Sequence, residues 1–324
     1  MKSDILNDLK QKNSGFISGQ EIGQKYGITR AAIWKYIKQL QNEGYTIDSA
    51  SKNGYRLVSC PDILTYDEIS EYMDTKYIGR KIVYYGSVSS TNNKAKAFAE
   101  SGEPEGTVVI SECQTEGKGR TGRKWLSEAY KGILMSIILR PNIDMSTATL
   151  VTQIACSAVG TAISKLTDNV QVKWPNDILI NGKKVCGILT ESSGEVDKTD
   201  YIILGIGINV NQNENELSES LSAIATSLRI EIKSEISRQK LAAAILNEFE
   251  KQYQKMQEHQ NMGGVLDFCR THSNIIGNNI LLTRNGRQSE AQVIDLNQQG
   301  QLVVRYKDGT FENISSGMIS ILHR

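Results

Sequence analysis

The chain has 324 residues, 39% of them hydrophobic, and a formal net charge of +1. That is enough apolar chain for a packed core and too much for one ordinary domain, so two or three domains are expected. Five scattered cysteines without a C-x-x-C pair argue against a disulfide framework or a zinc site. The polar first fifteen residues and a longest apolar run of eight, "GILMSIIL", argue against a secretion signal or a membrane span, and a soluble cytoplasmic protein is expected.

Charge is unevenly spread. Residues 1–58 carry nine Lys/Arg against five Asp/Glu, and the remainder 28 against 31. A basic head on a slightly acidic body outlines a DNA-binding module, although a solvated basic surface has the same count. Within the head, "SGQEIGQKYG" (18–27) reads as a short helix with a Ser18/Glu21 capping box and a stop at Gly27. Thr29 caps a second helix running to Gly44, whose Ile33, Ile37 and Leu40 share a core face while Arg30, Trp34, Lys35 and Lys38 lie toward others. Two helices joined by a glycine-containing turn make a helix-turn-helix candidate. "YTIDSASKNGYRLV" (45–58) follows as a hairpin in the position of a wing, either turning at Asn53-Gly54 or with its first run ending before a longer loop. A winged module at 1–60 would bind DNA through Thr29, Arg30, Trp34 and Lys35. A three-helix module with a stabilising hairpin is the alternative.

After a linker around Pro61, residues 65–272 alternate strand-like runs with helix-like ones. The strands are "KIVYYGSV", "GTVVISEC", "GILMSIILR", "NVQVKW", "DILING", "KVCGILTES" and "YIILGIGINV"; the helices are "TNNKAKAFAES", "TATLVTQIACSAVGTAISKL" and "SRQKLAAAILNEFEKQYQKM". Not every strand is followed by a helix, so a mixed sheet of the α+β class is expected. From 275 to 324 the chain is all short strands, punctuated at Asn285-Gly286, Gln299-Gly300 and Asp308-Gly309, which suggests a small SH3-like β-barrel.

The chemistry gathers in loops. "GKGRTGRKW" (117–125) contains G-x-G-x-x-G, the dinucleotide fingerprint. A strand precedes it, but "RKWLSEAYKGILMSIIL" continues to another strand, so no helix N-terminus is available for a pyrophosphate. The glycines then serve close backbone approach and the four cations serve charge, leaving a loop without fixed structure until an anion orders it. A solvated basic loop is the plain alternative. Gln114 precedes it. "SSTNN" (89–93) caps a helix or hydrogen-bonds a small polar ligand, and "KWPND" (173–177) leaves Lys173, Asn176 and Asp177 for phosphate or metal. Lys184 opens a nearby strand. The glycines of "GIGINV" (205–210) let a flat ring approach the backbone, with Asn209 beside them. The only histidines, His259, His272 and His323, lie away from these motifs, so Ser–His–Asp catalysis is not indicated. Cations, amides and glycines suit a reaction in which the protein positions two anions and neutralises them, such as attack of a carboxylate on the α-phosphate of ATP.

In order and spacing, "STN", "GKGRTGRKW", "KWPND", the Lys184 of "GKKVCGIL" and "GIGINV" resemble the biotin protein ligases, in the bifunctional bacterial form that also represses the biotin operon. The resemblance spans almost the whole chain. It implies a winged helix-turn-helix, a central ligase domain of the class II synthetase-like type and the C-terminal β-domain. It also implies that biotin and ATP–Mg²⁺ give biotinyl-5′-AMP, which a lysine of the biotin carboxyl carrier protein of acetyl-CoA carboxylase, or of a related enzyme, then attacks. Ser90, Thr91, Asn92, Gln114, Lys118, Gly119, Arg120 and Lys184 would hold biotin. Arg120, Arg123 and Lys184 would serve the reacting carboxylate and α-phosphate. Lys173, Asn176, Asp177 and Asn209 would serve ATP, Asp177 as a candidate Mg²⁺ ligand. Homodimerisation on biotinyl-AMP and binding to operator DNA are further implications. Lys118 stands where the family's loop usually has arginine, keeping the charge but losing the fork, so a slightly weaker hold on the adenylate is expected. A ligase whose N-terminal domain no longer regulates, a pure regulator with a degenerate core, and a lipoate-type ligase on the same fold remain as alternatives.

Overall fold

A computed structural model describes the chain apart from residues 13–14, 51–52, 144–148, 196–197, 218, 260–261, 285–286, 316 and 323–324. The expected Asn285-Gly286 turn and His323 therefore lie outside the described residues. The chain divides into two compact units, Met1–Ile63 and Leu64–Arg324.

The first unit opens on α1 (Lys2–Gln11), which sequence reading passed over as polar. Its Ile5, Leu6 and Leu9 are fully buried, one and four residues apart, so a single narrow stripe is enough to dock it. In α2 (Gly19–Tyr26) the Ser18 hydroxyl accepts the Glu21 amide at 3.0 Å, and Gly27 ends the helix in the left-handed region. The Glu21 carboxylate instead ion-pairs with Lys12 at 3.2 Å. Thr29 caps α3 (Arg30–Asn42) by accepting the Ala32 amide at 3.3 Å, and Ile33, Ile37 and Leu40 enter the core beside Ile22, Ile47 and Leu57. Arg30, Trp34 and Lys35 are exposed.

Strands β1 (Thr46–Ala50) and β2 (Gly54–Ser59) form the hairpin. Gly54 pairs with Ala50 in the ladder, so Asn53-Gly54 is not a two-residue turn. The glycine is needed for another reason. Ile17 and Tyr55 exchange both backbone hydrogen bonds at 2.9 Å, which brings the Ile17 carbonyl against Gly54. A Cβ at Gly54, where φ is +96°, would overlap that oxygen. Gly54→Ala is expected to destabilise this unit by about 1–3 kcal/mol. Hydrogen exchange of the β1 and β2 amides measures it, and unchanged protection would refute it.

The second unit is built on a seven-stranded sheet in the order β3-β4-β5-β9-β8-β7-β6. In chain order its elements are α4 (Tyr66–Ile69), β3 (Ile82–Tyr85), α5 (Thr91–Glu100), β4 (Val108–Ser111), β5 (Gly132–Leu139), α6 (Thr149–Ser164), β6 (Val170–Lys173), β7 (Asp177–Ile180), β8 (Lys183–Glu195) and β9 (Lys198–Asn209). The helices α7 (Glu219–Ser222), α8 (Leu228–Ile232), α9 (Arg238–His259) and α10 (Gly263–Thr271) follow. Only β3 and β4 run parallel; every other pair is antiparallel, giving the mixed sheet that the uneven alternation of strands and helices predicts. α6 is buried almost all round, as its apolar sequence requires, and packs with α9 and α10 on one face of the sheet. α5 covers part of the other face through Ala95 and Ala99. No described helix is long and apolar enough to cross a membrane.

The last five strands, β10 (Asn279–Arg284), β11 (Arg287–Leu296), β12 (Leu302–Tyr306), β13 (Phe311–Ile314) and β14 (Met318–Ile321), form an antiparallel sheet in the order β13-β12-β11-β10-β14. The sequence suggests a small SH3-like β-barrel. Among the described residues nothing pairs β13 with β14, so the sheet is open. Its buried apolar side chains, such as Leu282, Val293 and Val304, are continuous with the core of the larger sheet.

Candidate active site

Alternation along the central strands decides what reaches the site. On β9, Ile202, Leu204, Ile206 and Ile208 enter the main core, so Ile203, Gly205 and Gly207 face the side of α5. By the same rule β5 presents Ser136 there, and β8 presents Gly187, Leu189 and Glu191. The register places Ser136, Gly205 and Leu189 in one row across three strands, with Gly187 paired to Gly207 in the next.

Four stretches far apart in sequence meet over these rows. Ser90, Thr91 and Asn92 start α5 and are 1%, 3% and 5% exposed, so their polar groups are committed inside the protein. Gln114 follows β4, Lys118, Gly119 and Arg120 come from the basic loop, and Asn176 and Lys184 flank β7. All nine line one cleft.

The cap of α5 differs from expectation. The Ser90 side chain makes no capping bond; Gln114 Oε1 accepts the Thr91 amide instead, at 2.7 Å. A strand-end glutamine thus closes the helix end and leaves the Ser90 hydroxyl to the cleft.

The basic loop is not structureless. The Gly119 amide donates to Arg123 O at 2.7 Å and the Trp125 amide to Gly117 O at 2.9 Å, closing a small hairpin around a single turn at Arg120–Gly122. No helix starts here, so the dinucleotide reading fails in the structure as it does in the sequence. Lys118 Nζ donates to Asn93 Oδ1 at 2.8 Å and Arg120 to Asn176 Oδ1 at 3.1 Å. Asn176 is itself clamped to Ile188 of β8 by two bonds, of 2.8 and 2.9 Å, which fixes the Arg120 fork. Burial pulls the Arg120 guanidinium below its ordinary pKa, opposed by the Asp177 carboxylate, so its charge is partly desolvated and acts strongly on any anion beside it.

Lys184 Nζ lies 2.7 Å from Asp177 Oδ1 and 5.6 Å from the centre of the Trp125 ring. That indole lies flat on the sheet where glycines allow it. A Cβ on Gly207 would come within 2.8 Å of the ring and one on Gly187 within 2.9 Å. The flat ring that the strand glycines predict is therefore present, supplied by the protein's own Trp125, a contact no local sequence rule reveals.

Other expected site residues stand outside the cleft lining. Lys173 pairs with Asp177 in the ladder of β6 and β7, and Asp177 reaches the site through Lys184. Asn209 is buried and donates to Thr226 O at 3.0 Å. The Thr226 amide in turn donates to Lys184 O at 2.9 Å, so Asn209 braces the backbone beneath Lys184. Arg123 does not line the cleft. His272 stacks on Phe268, at 3.9 Å between ring centres. None of the five cysteines forms a disulfide, and burial pushes the thiols of Cys156 and Cys186 far up and that of Cys269 up to about 12.

Sequence reading also missed a fully buried ion pair behind the site. Arg238, the first residue of α9, donates to Glu112 Oε2 at 2.6 Å and to Gly132 O at 2.9 Å, and Glu112 Oε1 accepts the Leu64 amide at 3.1 Å. Glu112 and Gly132 bracket the segment that carries Gln114 and the basic loop.

The fold and cleft are those of a helix-turn-helix module joined to a protein ligase: residues 2–56 match the HTH domain and residues 84–209 the Biotin/lipoate A/B protein ligase family. The chain is 37% identical over 260 residues to the bifunctional ligase/repressor BirA of Bacillus subtilis (strain 168), covering 80% of each. To the protein of the same name from Escherichia coli (strain K12) it is 30% identical over 195 residues, 60% of this chain and 59% of that one. Among solved structures, the biotin protein ligase from Aquifex aeolicus in complex with biotin and ATP aligns with a TM-score of 0.64 and 27% identity, covering 76% of this chain and all of that one. The chain belongs to the family of bifunctional biotin protein ligase/repressors.

Proposed function

We propose that the protein joins biotin to ATP as biotinyl-5′-AMP and transfers the biotinyl group to a lysine of a biotin carboxyl carrier protein, and that the adenylate-bound form dimerises on operator DNA and represses biotin genes. The observation that carries this reading is the meeting, in one cleft, of three cations, Lys118, Arg120 and Lys184, with a buried set of hydroxyls and amides. Ser90, Thr91, Asn92 and Gln114 hold the polar head of biotin, and Lys118, Gly119 and Arg120 close over it. Residues 65–272 are the catalytic domain, 275–324 a supporting β-domain and 1–60 the DNA-binding domain.

In the first step a biotin carboxylate oxygen attacks the α-phosphorus, the bond to the bridging oxygen breaks and pyrophosphate leaves with that electron pair. Arg120 and Lys184 neutralise the carboxylate and the phosphate as they approach. In the second step the carrier amine attacks the acyl carbon and AMP leaves. Lys173, Asn176, Asp177 and Asn209 serve the nucleotide side, Asn176 and Asn209 by holding Arg120 and Lys184 in place, and Arg123 serves the phosphates at the rim. Mg²⁺ enters with ATP as part of the substrate. Among the described residues no three His, Cys, Asp or Glu side chains are grouped to hold a metal, which suits an ion bound mainly by phosphates with one carboxylate such as Asp177.

On the DNA side, Arg30, Trp34 and Lys35 project from α3 into solvent, with Lys38 Nζ 5.9 Å from the Trp34 ring. Thr29 sits at the helix start, the end that meets base edges. Two assays test the two halves. ATP- and biotin-dependent labelling of a carrier domain is expected; its absence defeats the ligase reading. A gel shift of a biotin-operon fragment that strengthens when biotin and ATP are both added supports repression, and no shift under any condition leaves a ligase alone.

A further inference from the structure

A chain of buried polar groups runs beneath the cleft. Glu191 on β8 is exposed, and its Oε2 accepts Asn92 Nδ2 at 2.6 Å. Asn92 Oδ1 lies 2.6 Å from the Ser136 hydroxyl, and that hydroxyl lies 2.8 Å from Thr91 Oγ1. Ser136 is fully buried on β5 and does not line the cleft. Gly205 leaves the space that the Asn92 amide fills, since a Cβ there would overlap it.

Proton directions along this chain follow from donor and acceptor chemistry alone. An ionised carboxylate only accepts, so Glu191 fixes the Asn92 amide with nitrogen toward itself and oxygen toward Ser136. A carbonyl oxygen also only accepts, so the single Ser136 proton goes to Asn92 Oδ1. Ser136 is left with lone pairs facing Thr91. The Thr91 proton goes to Gln114 Oε1 at 3.1 Å. Thr91 Oγ1 is left to the cleft as an acceptor. Gln114 is polarised by the same logic: a backbone amide only donates, so the Gln114 atom facing the Thr91 N–H is oxygen, and its NH₂ is the group left for a ligand.

We propose that Glu191, Asn92 and Ser136 form a relay that fixes the donor and acceptor pattern of the cleft, with Glu191 and Ser136 as positioning residues for substrate selection. Resting on the reading of the cleft as a biotin site, the pattern of one acceptor beside one donor fits the N–H and C=O edge of a cyclic urea. A dithiolane head, as in lipoate, offers neither group. The surface carboxylate sets the recognition from outside the cleft.

The test uses the full-length protein. Biotin is titrated calorimetrically into wild type, Ser136→Ala, Glu191→Lys and Glu191→Gln, and the KM for ATP is measured alongside. Lysine at 191 can only donate and leaves Asn92 Nδ2 just its long 3.4 Å bond to Leu189 O, so it turns the Asn92 amide over, sends the Ser136 proton to Thr91 and uses up acceptor capacity meant for the ligand. Ser136→Ala and Glu191→Lys are each expected to raise the Kd for biotin about tenfold. Glu191→Gln, which still offers Asn92 an oxygen, stays within about threefold of wild type. The KM for ATP stays within about twofold in all of them, because the relay touches only the biotin head. Unchanged biotin affinity in Glu191→Lys, or equal losses in Glu191→Gln and Glu191→Lys, would overturn the relay while wild-type binding upholds the biotin site. A wild type that does not bind biotin overturns both.

Discussion

Lys184→Gln is expected to slow pyrophosphate release at saturating biotin and ATP by about a hundredfold to a thousandfold, with much less effect on biotin affinity. The ammonium sits at the cleft, paired with Asp177 at 2.7 Å and beside Trp125, on a strand braced by Thr226 and Asn209. Its charge is most valuable when the carboxylate and phosphate share a pentacoordinate centre, since both negative groups are then closest. Glutamine keeps most of the length and loses that charge. Lys184→Arg keeps the charge but spreads it over a plane, so partial recovery is expected. Rapid-quench measurement of adenylate formation separates this step from transfer to the carrier. A rate within threefold of wild type in Lys184→Gln would remove Lys184 from the chemistry.

The second large effect is on stability. Arg238 and Glu112 are both 0% exposed, and removing one buried partner leaves the other charge without solvent or counter-ion. Arg238→Met is expected to destabilise the Leu64–Arg324 unit by about 3–5 kcal/mol. The double variant Arg238→Met/Glu112→Leu recovers most of that loss, because an apolar pair of similar volume carries no uncompensated charge. Native-state hydrogen exchange at the β4 and β5 amides reads this unit separately from the N-terminal one. A double variant no more stable than the single would show that the two side chains do not act as a pair. Activity in Arg238→Met is expected to fall too, because the pair pins both ends of the 113–131 segment.

The fold was legible where periodicity and punctuation agree. The run 132–139 and the alternation of 201–209 define β5 and β9, and Ser18, Gly27 and Thr29 mark the ends of α2 and α3 as expected. α1 was lost because its polar residues outnumber a stripe of three apolar ones. The antiparallel β-domain was legible from its turns, but closure of its sheet was not, since edge-to-edge pairing of β13 and β14 depends on sheet curvature that the strand sequences do not encode. At the site, glycines, amides and cations in loops were visible as candidates. Their pairings were not: Gln114 capping α5, Asn209 bracing Thr226 and Trp125 lying on Gly187 and Gly207 join residues far apart in sequence. The Arg238–Glu112 pair was invisible for a further reason. A lone charged residue reads as surface unless its partner, 126 positions away, is known to face it.

The two faces of β9 have consequences for how such a protein changes over time. Its even-numbered residues 202–208 are isoleucine and leucine set into the helix-packed core, and its glycines 205 and 207 open onto the cleft. Parity thus divides the strand's labour. The even positions govern whether the chain folds, and the two glycines between them what it accepts. New ligand preferences can arise by altering one parity while the other is held fixed, so a single strand can drift in chemistry without drifting in architecture.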